Sequence, residues 1–230
     1  MPIAAIITGA SKGLGRALAV ALAEEGWDLL IDARTETDLD AVVSELRTVT
    51  NVWAVPGDVS DPQHRSDLAL AAAEVGPIGL LINNASALGP SPLPRLEDAD
   101  VADFAEVLSV NVVSPLAIFQ AIRPHLSLDA IVMNITSDAA VEAYEGWGLY
   151  GASKAALDHL SAVLAVEHPE FRVYALDPGD MRTDMHQRAF PGEDISDRPL
   201  PEEVVPKILE VIRRRPPSGR IVAPQLKVAS

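Results

Sequence analysis

The chain has 230 residues, 48% of them hydrophobic, which is enough to bury a substantial core and excludes a disordered polymer. A net charge of −15 argues against nucleic acid as a partner, because a surface that binds a polyanion needs clustered positive charge. With no cysteine there are neither disulfides nor thiolate metal sites, which suits a reducing cytoplasm, and the five histidines show no ligand spacing, so no metal is expected. The N-terminal "MPIAAIITGASKG" lacks a basic leader, and its apolar run is too short for a signal peptide or a membrane span. It reads as a first strand, and the expected location is cytoplasmic, away from membranes.

Short aliphatic runs then alternate with segments of helical period. Strands are expected at 3–8, 27–32, 51–55, 78–83, 130–135, 172–177 and 219–223, and helices at 14–25, 36–48, 61–75, 98–124, 148–167 and 201–214. The strand candidates are continuously apolar and not alternating, as a sheet covered on both faces requires. Strand and helix in repeated alternation imply an α/β fold: a doubly wound sheet of about seven parallel strands with helices on both faces. No linker or shift in composition divides residues 1–230, so one domain is expected. Two irregular stretches, 86–98 and 181–201, each follow a strand's C-terminal end, where such sheets bind ligands. The second is long for a compact domain and reads as a substrate-binding loop or lid.

Between the first strand and the first helix lies "TGASKGLG", with Gly9, Gly13 and Gly15. Glycines here permit a tight turn and a close approach of backbone to a pyrophosphate, and the helix N-terminus offers free N–H groups to it. The spacing is weak evidence alone and gains weight from its place in the first strand–turn–helix. The second strand ends "IDARTE". Asp32 and Ala33 must face opposite sides of the sheet, so only one of them can meet a ribose there. Further on, Tyr150 and Lys154 stand four residues apart, on one face of an alanine-rich helix, where an ammonium beside a phenol favours the phenolate. Tyr144 has Gly148 at the same spacing and lacks such a partner.

Taken in order, "TGASKGLG", Asp58–Val59, "NNAS" (83–86), "SVNVVSP" around Asn111, Ser137 thirteen residues before Tyr150, "YGASK" and "DPGDMRTDM" (177–185) resemble the motifs of the short-chain dehydrogenase/reductase family over essentially the whole chain. The resemblance implies a Rossmann-like fold and a dinucleotide held by Gly9, Ser11, Lys12, Gly13, Leu14 and Gly15. It adds Asp58 and Val59 against the adenine, then Asn84, Ala85 and Ser86, and Pro178, Gly179, Met181 and Thr183 about the nicotinamide. Ser86 replaces the family's glycine and adds a side chain near the cofactor. Ala33 falls at the position that is acidic in NAD-type members, while Arg34 and Lys12 match the cations of NADP-type ones. NADP(H) is therefore expected, with NAD(H) left open by the neighbouring Asp32.

The same resemblance makes Asn111, Ser137, Tyr150 and Lys154 the catalytic set. Tyr150 is the acid/base, Ser137 polarises the substrate oxygen, Lys154 lowers the tyrosine pKa and holds the nicotinamide ribose, and Asn111 holds a water linking Lys154 to solvent. The implied reaction is NADPH-dependent reduction of a ketone or aldehyde to an alcohol. The alternatives are an NAD-dependent alcohol dehydrogenase running oxidatively and a non-catalytic dinucleotide-binding sensor. The partner is then a small carbonyl or alcohol substrate, in a pocket walled by 87–95, 138–147 and 181–200 with Leu88, Tyr144, Trp147, Met181, Met185 and Phe190. Asp177 and Asp180 read as solvated loop acids. A homodimer or homotetramer assembled through the helices at 98–124 and 150–167 is expected.

Overall fold

The structure, a computed structural model, describes residues 4–226. Seven parallel strands form one sheet: β1 (Ala4–Ile7), β2 (Asp28–Ala33), β3 (Val52–Pro56), β4 (Ile78–Asn83), β5 (Leu126–Ile135), β6 (Arg172–Asp177) and β7 (Gly219–Val222). Their order is β3-β2-β1-β4-β5-β6-β7. Chain direction across the sheet reverses between β1 and β4, so the crevice at the C-terminal ends of those two strands is the switch point where ligands bind.

Strand alternation divides the core in two. Ala5, Ile7, Leu29 and Ile31 pack beneath α1 (Gly13–Glu24), α2 (Glu36–Leu46) and, later in the chain, α8 (Pro201–Arg214). Ala4, Ile6 and Leu30 face the other way, toward α3 (Pro62–Val75), α5 (Ser114–Ile122) and α6 (Gly148–Glu167). Both faces of the central strands are therefore dry, which is why those strands read as unbroken apolar runs.

All six helical segments and all seven strands expected from the sequence are present, apart from Ile3 in the first strand candidate, which lies outside the described residues together with 227–230. Two elements differ from expectation. The segment 98–124 is not one helix: α4 (Val101–Leu108) passes through a π turn at Ser109–Val113 into α5. Such turns arise where the regular ladder admits an extra residue, and they collect at functional sites. The irregular stretch 181–201 contains a short helix, α7 (Asp184–Ala189), whose start is capped by the Thr183 hydroxyl accepting from the His186 N–H.

Candidate active site

A cavity of about 620 Å³ opens at the C-terminal edge of the sheet, running from the glycine loop to α6 and α7. At its phosphate end, Gly9 has φ +67° and an added Cβ would meet Ala85 Cα at 2.9 Å; at Gly15 a Cβ would lie 2.3 Å from the Gly9 carbonyl and 2.5 Å from Asn84 Nδ2. The glycines therefore let three backbone segments close on one another. Asn84 Nδ2 donates to the carbonyls of Thr8 and Gly9 at 2.9 and 3.1 Å, and the Thr8 hydroxyl accepts from the amides of Asn84 and Ala85, both at 3.0 Å. This stitches β4 to the loop. Gly13 has φ +52° and only the Thr183 side chain near its missing Cβ. Helix α1 begins with no side-chain cap and no acidic residue in its first turn, so its N-terminal N–H groups and dipole are left for an anion. A dinucleotide's pyrophosphate fits this cradle by chemistry and by shape.

Ser11, Lys12, Leu14, Asp58, Val59, Asn84, Ala85, Ser86, Pro178, Gly179, Met181 and Thr183 all line the cavity. Asp32 and Ala33 do point to opposite faces. Asp32 is buried, accepting from the Gly9 N–H at 2.7 Å and lying 3.2 Å from His64 Nε2, and burial holds its carboxyl above the usual range against those two bonds. It acts as a brace beneath the glycine loop. Arg34 is exposed at the cavity's edge, whereas Lys12 is tied to Asp38 at 2.8 Å and is thus not the free cation its place in the motif implies.

At the other end, Ser137, Tyr150 and Lys154 meet at the cavity wall. Lys154 is 2% exposed, donates from Nζ to the Ile135 carbonyl at 2.8 Å, and burial lowers its pKa to about 8. Its Nζ lies 5.4 Å from the centroid of the Tyr150 ring. The expected lowering of the tyrosine pKa is not what results: burial raises the Tyr150 phenol far above its ordinary value, opposed by hydrogen bonds to Ser86 and Ser137 and reinforced by the charges of Asp138 and Asp177. Desolvation disfavours the phenolate more than a lysine over the ring face favours it.

Asn111 is buried behind the cavity and does not line it. Its side chain is fully engaged: Oδ1 accepts from the Ala87 N–H at 2.7 Å and the Ser86 hydroxyl at 3.1 Å, while Nδ2 donates to the Ala87 carbonyl at 2.8 Å and Ser153 Oγ at 2.9 Å. Ser153 in turn donates to the Tyr150 carbonyl at 2.7 Å. The side-chain amide of the residue implied as a water holder thus clamps the strand-end segment 86–87 to α6.

Leu88, Trp147, Met181 and Met185 line the substrate end, and Phe190 packs on Trp147 at 5.9 Å between ring centroids. Tyr144 does not line the cavity: it is 48% exposed and donates its hydroxyl to Asp138 Oδ2 at 2.9 Å. Nor is Asp177 a solvated acid, since it is 3% exposed and paired with Arg220 at 3.0 Å; Asp180 is exposed, as expected. Three contributors escaped sequence reading. Asp138 takes the Ser137 hydroxyl at 2.9 Å, and its place next to the serine was the available signal. Ser153 lies inside "YGASK" but speaks only through Asn111, and Arg220 carries no local signal at all.

The family model for short chain dehydrogenases matches residues 3–194. Mouse sepiapterin reductase is 37% identical over 199 residues, covering 80% of this chain and 76% of that protein. Among solved structures, a Pseudomonas syringae protein assigned to the short-chain dehydrogenases superposes with a TM-score of 0.90 at 29% identity, covering 96% of this chain and 93% of that one. An Escherichia coli protein with the same assignment, complexed with NADPH, gives 0.87 at 27% identity and 96% coverage of both chains. The glycine loop, the seven-stranded parallel sheet and these likenesses agree: the chain belongs to the short-chain dehydrogenase/reductase family of oxidoreductases.

Proposed function

We propose that the protein reduces a ketone or aldehyde to an alcohol with NADPH. The observation that carries this reading is the meeting of Ser137, Tyr150 and Lys154 at the wall of the cavity that the glycine loop opens. A general acid at that place suits the reductive direction, which the NADPH-complexed relative also supports. The alcohol-oxidising alternative would need the same oxygen as a base.

Gly9, Ser11, Gly13, Leu14 and Gly15 would hold the pyrophosphate, Asp58 and Val59 the adenine end, and Ala85, Ser86, Pro178, Gly179, Met181 and Thr183 the nicotinamide end. When bound, the cofactor supplies hydride to the carbonyl carbon. Ser137 leaves Asp138 to donate its hydroxyl proton as a hydrogen bond to the substrate oxygen, stabilising the charge that develops there. Tyr150 delivers a proton to that oxygen, and Lys154, charged below a pKa of about 8, favours the phenolate left behind. Asn111 and Ser153 fix α6 against segment 86–87, so the phenol does not drift from its target.

NADP(H) over NAD(H) is supported by Arg34 at the cavity edge, by Asp32 being turned under the glycine loop, and by the NADPH-bound relative. The apolar wall of Leu88, Trp147, Met181 and Met185 suits a small, partly apolar carbonyl compound. The test is NADPH consumption across panels of aldehydes and ketones. Tyr150→Phe is expected to lower kcat at least about a thousandfold by loss of the general acid. Unchanged turnover in that variant would overturn the assignment, as would NADH serving as well as NADPH.

A further inference from the structure

Three separate pieces of chain carry the proposed chemistry: the turn after β5 with Ser137, helix α6 with Tyr150 and Lys154, and the turn after β6 with Pro178 and Gly179. One side chain touches all three supports. Arg220, on the short edge strand β7, donates from Nε to Asp158 Oδ2 of α6 at 3.0 Å. Its Nη2 donates to the Ser137 backbone carbonyl and to Asp177 Oδ2, each at 3.0 Å. Asp177 then spends its other oxygen on the Gly179 N–H at 2.9 Å.

We infer that Arg220 is a positioning residue for the reaction, fixing the Ser137 turn, helix α6 and the 177–179 turn in one register. The inference rests on the catalytic roles proposed above. Arginine suits the task because its rigid planar fork presents several donors in fixed directions, where an ammonium offers a single point charge. The arrangement is also more than surface decoration. The side chains of Asp177 and Asp158 are 5% and 16% exposed, and partly buried carboxylates without a cation would be costly. Asp158 lies one helical turn beyond Lys154 and two beyond Tyr150, so a hold on its carboxylate is a hold on the helix that aims both groups. The bond to the Ser137 carbonyl has no such electrostatic need. Its consequence is geometric, since it fixes the backbone that carries the polarising hydroxyl.

The conservative variant Arg220→Lys keeps the charge and cannot span three acceptors. It is expected to lower kcat about tenfold, because misplacement on the order of 1 Å can cost up to about a hundredfold. The KM for NADPH should stay within about threefold, as the glycine loop is untouched. Combined with Ser137→Ala the loss should not multiply, since Arg220 acts through the serine it positions. Hydrogen exchange provides a readout independent of turnover: amides at 136–140 and 177–180 should exchange several-fold faster in Arg220→Lys, with those of β1 and α1 unchanged. Wild-type kcat in Arg220→Lys, the same fold loss in the Ser137→Ala background, or unaltered exchange in both turns would each overturn the inference. If the wild type reduces no carbonyl, the proposed activity falls and the exchange measurement still decides the positioning. Should Arg220→Lys fail to fold, Asp158→Asn cuts the tie to α6 and also removes a charge that favours the Lys154 ammonium, so exchange and not kcat is the readout there: faster exchange in the Tyr150–Lys154 turn is the expected result, and unaltered exchange overturns the inference.

Discussion

The tension in this site is held by single residues. Lys154 is a buried ammonium with one backbone acceptor, and its pKa of about 8 lies below the ordinary 10.5 because burial disfavours the charge. The folded state therefore binds fewer protons than the unfolded one between those two values, so stability is reduced at neutral pH and recovers as pH rises from about 8 towards 10.5. Lys154→Met is expected to abolish turnover yet be more stable at pH 7 by up to about 3 kcal/mol, and so to melt at a higher temperature, with the gain fading at alkaline pH. Thermal melts of both proteins across that range check it, and a less stable variant at neutral pH would refute it. At the cofactor end, Lys12 is held by Asp38, an exposed pair of the kind worth little. Asp38→Asn should release the lysine and tighten NADPH about two- to fivefold with NADH unaffected, whereas Arg34→Ala should weaken NADPH about tenfold. Fluorescence titration with both dinucleotides separates these outcomes. The Asp32/Ala33 alternation was legible in the sequence because strand geometry is rigid. The Lys12–Asp38 pair was not, since it joins a loop to a helix that only the fold brings beside it.

Among elements, those with strong periodicity were readable and those that interrupt it were not. The run 98–124 is apolar enough to look like one helix, and the π turn inside it is invisible to pattern. The signal was Asn111 itself, a polar residue in a helix interior, disfavoured unless something else uses its amide. What uses it is the backbone of Ala87 on both sides, a contact that no spacing rule reports. The stretch 181–201 reads as a substrate-binding loop by its length and position, and neither signal reports the ties it makes. Arg188 on α7 donates to the Gly89 carbonyl at 3.1 Å, and Ser91 returns a bond to the Arg188 carbonyl at 2.7 Å. These two bonds join the irregular segments on either side of the substrate end. Arg188→Ala should loosen that side alone, raising the KM for the carbonyl substrate about tenfold while leaving NADPH affinity unchanged. Steady-state kinetics with each substrate varied in turn decide it, and a shift in NADPH affinity instead would show that the latch belongs to the cofactor end.

For the whole molecule, alternation of apolar strands with helices specified the doubly wound sheet and with it the crevice, because few topologies satisfy short right-handed crossovers. The ties that tune the crevice run between distant parts of the chain, as Arg220 does to Ser137, and could only be seen folded. The same scale holds one more consequence. An 18-residue window of Val101–His125 has a mean hydropathy of 1.5, long and apolar enough by those measures to cross a bilayer, yet the segment lies as a layer on the sheet, buried there through Ile118, Phe119 and Ile122. Its outer side mixes Glu106, Gln120 and Arg123 with exposed apolar groups: Val101 is 79% and Val113 53% exposed, and on α6 Val163 and Val166 are 37% and 81% exposed. Where such groups lie together on packed helices, the surface gains by being covered. The prediction is that a second copy of the chain covers it, because a two-fold axis brings a patch against its own equivalent. Light scattering at micromolar concentration should give at least twice the mass of one chain. Val113→Glu with Val166→Glu should halve it by placing like charges across the axis. A wild-type chain that stays monomeric would refute assembly through these helices.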